Sequence, residues 1–405
     1  MLVLLTFTAM LLVALIVEPL AEGLRLPFGA ALVAVGFAGS ELLVYFGIDT
    51  GLRWHVFTDL ILELFLPLLV FGAAFNLDAR RLLRDIVPIL YLAVPLFIVS
   101  ALVTATLIYF GIGHPGGFPW ITALLAGALL SATDPGAVVA IYEKLGLSDR
   151  VKHLLEGESL FNDATAIVLF GLLLSLATLP ETEINAVEAG MAFLKVFFGG
   201  LAVGAITGII GVGLMFTFRG PFPCAVISFS VVIFSVYLSG NLFQVSPVMA
   251  VLAAGLITGA ANLRICHEGF VNSVWGFVGY VIAALMFLLM GATVTPGMFT
   301  AQWLAILIGI GAVVVSRALT AWILLPPATR MTSAQPLSRG ERTLVFWGGL
   351  RGAVTLALAL QLPLELDAWF TVQSIAYGVV LFNLFFQAPL MEPLLRRLGS
   401  QGTEG

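Results

Sequence analysis

Long apolar runs, separated by short polar turns, fill most of the 405-residue chain. A helix needs about 20 residues to cross a bilayer. On that measure the runs predict about thirteen spans, roughly 2–20, 27–48, 56–76, 86–110, 117–144, 157–179, 189–218, 221–239, 247–262, 271–291, 298–326, 341–361 and 369–394. Pro27, Gly113-His114-Pro115-Gly116-Gly117, Pro180, Gly220-Pro221, Pro247, Pro296-Gly297 and Pro363 mark the connections. Two spans are interrupted. In Ser131-Ala132-Thr133-Asp134-Pro135-Gly136, the proline ring removes a backbone donor and pushes Asp134 out of the helical region. In Gly348-Gly349-Leu350-Arg351-Gly352-Ala353, a glycine cluster and a charge break another span. Free backbone groups at membrane depth are tolerated only where they line a cavity or bind something.

Composition fixes the class. The chain is 60% hydrophobic and only 10% charged, with a mean hydropathy of +1.09, which marks an all-α, polytopic membrane protein. No basic segment precedes the first apolar run, so no cleaved signal peptide is expected. Cys224 and Cys266 are the only cysteines; both fall at helix ends assigned to the cytoplasmic side and are read as reduced thiols. The basic residues, from Arg80, Arg81 and Arg84 to Arg396 and Arg397, cluster in alternate connections. By the positive-inside rule these are cytoplasmic, with the N-terminus outside and the C-terminus inside. Lys195, Arg317 and Arg351 remain at membrane depth.

A weak repeat runs through the chain. Leu26-Pro27-Phe28-Gly29-Ala30-Ala31-Leu32 resembles Ser246-Pro247-Val248-Met249-Ala250-Val251-Leu252, and Leu69-Val70-Phe71-Gly72-Ala73-Ala74 resembles Leu288-Leu289-Met290-Gly291-Ala292-Thr293. The two breaks then correspond, and their spans run in opposite directions. Inverted repeats with paired broken helices are characteristic of secondary transporters. The expected organisation is one transmembrane domain over 1–400. It has a first repeat over about 2–179, a linker helix over about 189–218 and a second repeat over about 221–395. A short cytoplasmic tail, 396–405, follows.

The chemistry centres on Glu158-Ser159-Leu160-Phe161-Asn162-Asp163. Ser159 and Asp163 are four apart, and Ser159 and Asn162 three apart, so a hydroxyl, an amide and a carboxylate share one helix face. A carboxylate in a membrane is costly and normally faces a bundle interior or a wet cavity. Hard oxygen ligands there suit a small hard cation. Such oxygens hold a proton or a metal ion but rarely both, which with alternating access makes an antiporter. A purely structural acid is the plainer alternative for Asp163. Asp134 either attracts ions or neutralises helix N-termini at the crossing, and Arg351 faces the corresponding C-terminal carbonyls. Lys195 is expected to snorkel. Glu18 and Glu41 are interfacial on this reading, Asp59 and Glu63 lie on a solvated helix end, and His153 and His267 are solvated. The glycines from Gly199 to Gly213 allow close helix packing. There is no nucleic-acid footprint, nucleophile triad, Cys/His cluster or phosphate loop, so neither an enzyme nor a cofactor is expected.

The three motifs at Thr133-Asp134-Pro135, Gly157 to Asp163 and Gly348 to Ala353 resemble the sodium/proton exchanger family, in its prokaryotic monovalent cation:proton antiporter-1 group. The resemblance covers nearly the whole chain in span number, order and spacing. It implies a homodimer in the cell membrane serving sodium and pH homeostasis. It also implies a core of spans 4–6 and 11–13 that moves against an interface domain and contains two crossed broken helices. A monovalent cation would be bound by Asp163, Ser159 and the Thr133 carbonyl, with Asn162 in support. Glu158 would pair with Arg317, and Arg351 would face the breaks. One position departs from the pattern: Gly72 stands where the family usually carries a glutamate, and Glu63 is nine positions earlier and out of phase. The expected activity is electroneutral Na+ (or Li+)/H+ exchange, because Asn162 stands where electrogenic relatives carry a second acid. Gly72 leaves K+/H+ exchange as a rival, and a channel-like or sensory protein on the same fold as another.

Overall fold

A computed structural model of the chain describes residues 2–24, 26–47, 60–113, 117–134, 136, 139, 149–178, 186–266, 268–326, 337–391 and 393–394. All regular structure among them is helical. Among the described residues, nine helices are long and apolar enough to cross a membrane: α1 (Leu2–Leu24), α2 (Phe28–Tyr45), α5 (Ile86–Gly111), α7 (Asp149–Thr178), α8 (Ala186–Thr217), α9 (Pro221–Leu242), α11 (Glu268–Thr293), α12 (Pro296–Leu324) and α15 (Trp369–Met391). Three shorter apolar helices accompany them: α3 (Leu66–Asn76), entered through a π-helical turn at Ile61–Phe65, α6 (Trp120–Ser131) and α10 (Pro247–Ile265). With the interrupted pair α13 (Arg339–Trp347) and α14 (Ala353–Ala359), these account for the thirteen spans read from the pattern. The short α4 (Ala79–Arg84) carries three arginines of the basic connections.

Local chemistry sets several boundaries. Ser246 caps α10, its hydroxyl accepting from the Met249 N–H at 3.2 Å, with Pro247 at the first helical position. Ser338 and Glu341 form a capping box that starts α13. Pro95 sits in a π-helical turn (Leu92–Leu96) inside α5, where a wider turn absorbs the missing donor.

The chain forms two compact units. Unit 1 comprises Met1–Trp54, Asp85–Ala166 and Ala284–Gly405; unit 2 comprises His55–Arg84 and Ile167–Ala283. In unit 1, α5 packs on α6 and α12, and α12 on α15. The first two helices join this bundle: Ala14, Val17, Ala21, Ala31 and Leu32 bury against Ala284 and Leu288, and Gly36 lies on the backbone of Leu288. In unit 2, α8 packs closely on α10, with Gly204 against the backbone of Ala250. Trp275 is the aromatic centre of this unit. Its ring lies 4.6 Å from those of Phe71 and Phe229, and its N–H donates to the Ser228 hydroxyl at 3.1 Å.

The cysteines need a correction. Cys224 and Cys266 are joined in a disulfide rather than being free thiols. The start of α9 and the end of α10 bring their Cα atoms to 6.1 Å, within bridging range. The pairing depends on the approach of two helices in space, not on the compartment their ends face.

Candidate functional site

The site lies in unit 1, where the two breaks meet. α6 stops at Ser131, and residues 132–134 are non-helical. α13 stops at Trp347, and the chain is non-helical until α14 begins after Gly352. The Asp134 N–H donates to the Leu350 carbonyl at 2.6 Å, and Arg351 Nε donates to the Leu130 carbonyl at 2.8 Å. Each break thus supplies a donor to the other.

The last carbonyls of a helix have no partner within it, and at membrane depth something must satisfy them. Long side chains do so here. Arg351 also donates to the Gly349 carbonyl. Arg317 donates to the Val345 carbonyl through Nε at 3.1 Å and Nη2 at 2.9 Å, and Gln387 donates to the Trp347 carbonyl at 2.9 Å. Arg317 further holds both oxygens of Glu158 in a buried, two-pronged ion pair, with Nη2 to Oε2 at 3.1 Å.

Asn162 grips the first break. Its Nδ2 donates to the Thr133 hydroxyl at 2.7 Å, and its Oδ1 accepts from the Thr133 N–H at 3.4 Å. Asp134 accepts from the Gly136 N–H at 2.9 Å, and its carboxylate lies where a Cβ on Gly352 would stand. That contact requires glycine at 352 and puts a negative charge beside the start of α14.

Ser159 and Asp163 are four apart on α7. Among the described residues, no hydrogen bond or ion pair occupies the Asp163 carboxylate or the Ser159 hydroxyl. Ser159 is buried and Asp163 half-buried. Asp163 feels the charge of Asp134, and Arg351 those of Arg317 and Glu158. The cluster therefore has three carboxylates, Asp134, Glu158 and Asp163, and two guanidinium groups, Arg317 and Arg351. When all are ionised, one negative charge is left over. A small cavity adjoins the cluster, lined by Ser100, Ser131, Asn162, Thr320 and the Glu158–Arg317 pair among others.

Ser100, Ser316 and Gln387 escaped the sequence reading, and Ser131 figures there only as the start of the first break. Each is a polar residue in an apolar span, which was the available signal. Ser100 and Ser316 meet hydroxyl to hydroxyl at 2.6 Å, and Ser131 stands 3.5 Å from Ser100. Other candidates lie elsewhere. Gly72 is in unit 2 beneath Trp275. Lys195, Glu41 and Glu63 are exposed, Glu18 is partly exposed, and His153 stands 3.3 Å from Glu156. Asp59, His267 and the tail 396–405 lie outside the described residues. Among the described residues, no cluster of three or more His, Cys, Asp or Glu could hold a metal.

A family model described as sodium/hydrogen exchanger, transmembrane, matches residues 8–397. The chain belongs to the sodium/hydrogen exchanger family. It is thus a multi-pass membrane protein from a family of transporters rather than enzymes. Among exchangers of this family, it is 34% identical over 350 residues to the Na+/H+ antiporter ApNhaP of Aphanothece halophytica, which covers 85% of this chain and 66% of that one. It is 32% identical over 407 residues to the Na+/H+ antiporter NhaH of Halobacillus dabanensis, covering 96% of each. Its fold matches the sodium proton antiporter MjNhaP1 of Methanocaldococcus jannaschii with a TM-score of 0.80 at 19% identity, over 95% of this chain and 98% of that one.

Proposed function

We propose that this exchanger trades one Na+ or Li+ for one proton across the cytoplasmic membrane by elevator-like alternating access, with Asp163 holding cation and proton in turn. Ser159 and the Thr133 carbonyl complete the cation site, Asn162 and Asp134 shape the first break, and Arg351 and the Glu158–Arg317 pair are structural. The observation that carries this reading is the charge count: three carboxylates against two guanidinium groups, with Glu158 held by Arg317, Asp134 by the Gly136 N–H, and Asp163 by neither an arginine nor a backbone donor among the described residues. One monovalent cation or one proton makes the cluster neutral, and either species leaves the same charge on the moving unit. The activity named for ApNhaP and NhaH supports the choice of ions. The protein acts as a homodimer, N-terminus outside and C-terminus inside, on this proposal.

Proteoliposomes loaded with a pH-sensitive dye test it. Na+ and Li+ should dequench the dye, and Asp163→Asn should abolish the signal while the protein still folds. Signal with K+ but not Na+ would favour the K+/H+ reading that Gly72 invites. Passive cation conduction without proton movement would sink the antiport reading altogether.

A further inference from the structure

Unit 1 contains a further set of matching positions. Ser100-Ala101-Leu102-Val103-Thr104-Ala105 on α5 matches Ser316-Arg317-Ala318-Leu319-Thr320-Ala321 on α12, with Ser, Thr and Ala at equivalent places. Ser100 and Ser316 are 216 apart, as are Thr104 and Thr320, and Gly136 and Gly352 at the two breaks. Leu160-Phe161-Asn162 on α7 recurs as Leu381-Phe382-Asn383 on α15. The two equivalent serines touch each other, hydroxyl to hydroxyl, at 2.6 Å. Equivalent residues can touch in this way only on the local two-fold axis, so the axis relating the halves passes through that hydrogen bond.

α5 and α12 are antiparallel: Gly111, beyond Ser100, lies against Ile308, ahead of Ser316. Thr104 and Thr320 therefore stand on opposite sides of the serine contact. The polar cavity is on the Thr320 side, and Asn162 lines it too. Both residues are engaged. Thr320 donates to the Ser316 carbonyl at 3.0 Å, and Asn162 to the Thr133 hydroxyl. Their mates are not. Thr104 Oγ1 and Asn383 Nδ2 are fully buried without a hydrogen-bond partner among the described residues, as is Thr355 Oγ1, two residues into α14. The Ser100 carbonyl, which by symmetry Thr104 would use, already accepts from Ser316 at 3.0 Å. Unpaired polar groups in a membrane core are costly and need a partner in some state of the protein.

We propose that Thr104 and Asn383 form a second polar site, the mirror of the cavity at Thr320 and Asn162, which holds water of the transported cation's hydration shell when the exchanger opens to the other side. The two sites serve the two faces of the membrane, and the Ser100–Ser316 contact marks the divide between them. This rests on the antiport reading above and adds residues to which that reading gives no part.

The test is sided kinetics in oriented proteoliposomes, with the cation added to one face at a time. Thr104→Val and Asn383→Leu should each raise the apparent KM for Na+ about fivefold from the face on which α5 ends, the loss of roughly one neutral hydrogen bond. From the opposite face they should leave it unchanged. Thr320→Val should show the reverse preference, and Thr104→Ser, which keeps the hydroxyl, should restore wild-type values. Equal changes from both faces, or none from either, overturn the inference. Failure of the antiport reading would look different, since wild-type protein would then show no cation-dependent proton movement at all.

Discussion

Arg317 serves three acceptors at once, both oxygens of Glu158 and the Val345 carbonyl at the end of α13. Removing it strands a buried carboxylate and a buried carbonyl together. Breaking one member of a buried pair costs roughly 3–5 kcal/mol, so Arg317→Ala should act mainly on folded yield. Arg317→Lys should rescue little, because an ammonium cannot span two carboxylate oxygens and a carbonyl in one plane. Fluorescence-detected size exclusion of solubilised membranes reads this directly; normal yield with altered cation affinity would mean that the pair belongs to the binding site instead. At this scale the local motif was legible and its long-range partners were not. Ser159, Asn162 and Asp163 announce themselves as polar groups sharing one face of an apolar helix. By contrast, Glu158 and Arg317 are 159 positions apart, and the resemblance, not spacing, suggested their pairing. The Asn162 grip on Thr133 depends on where α6 ends, which no spacing rule supplies.

Among the elements, α3 carries the departure at Gly72. A Cβ there would meet the Trp275 ring at 3.3 Å, and that ring is held by Phe71, Phe229 and the Ser228 hydroxyl. A glutamate at 72 is therefore not a simple restoration of a missing ligand. Overpacking a well-filled core costs about 1–3 kcal/mol, and an unpaired carboxylate against an aromatic cluster adds to it. Gly72→Glu alone should lower the melting temperature of the purified protein without tightening Na+ binding. On a Trp275→Val background, which opens the space, the same substitution should cost less than it does in the wild-type protein. If it does, the doubly substituted protein is the one in which cation affinity reports on an added acid. A single Gly72→Glu protein that melts normally and binds Na+ more tightly would show that Trp275 yields freely. Element boundaries followed the sequence where a residue had a local effect: α13 stops at Trp347, ahead of the Gly348–Gly352 cluster, whose glycines weaken a helix. The π-helical turns at Thr320–Leu324 and Asn383–Gln387 left no comparable mark in the sequence. The Cys224–Cys266 link likewise needed the approach of α9 and α10 in space.

For the molecule as a whole, the charge balance of the cluster constrains the transport cycle more than any single contact does. The hydropathy pattern gave the number of spans, and the repeat was visible because glycine and proline recur at matching places. The division into two units was less legible: α1 and α2 join the bundle of spans 4–6 and 11–13 through small-residue packing that hydropathy does not encode. If Asp163 carries either one cation or one proton and the other four charges stay fixed, each crossing moves the same charge in both directions. The membrane potential then does no net work over a cycle. Na+-driven proton movement should be unchanged when the voltage across the vesicle is set to opposite signs with a K+ gradient and an ionophore. A reversal potential displaced from the balanced Na+/H+ gradient would refute this. The same competition fixes the pH dependence. Below the pH at which Asp163 loses its proton, each further unit of acid should raise the apparent KM for Na+ about tenfold, because a proton must leave before the metal can bind. The maximal rate should hold, since saturating Na+ displaces the proton. A maximal rate that falls with acid at constant KM would place the controlling protonation outside the cation site, and Asp163 would then not be the group the two ions share.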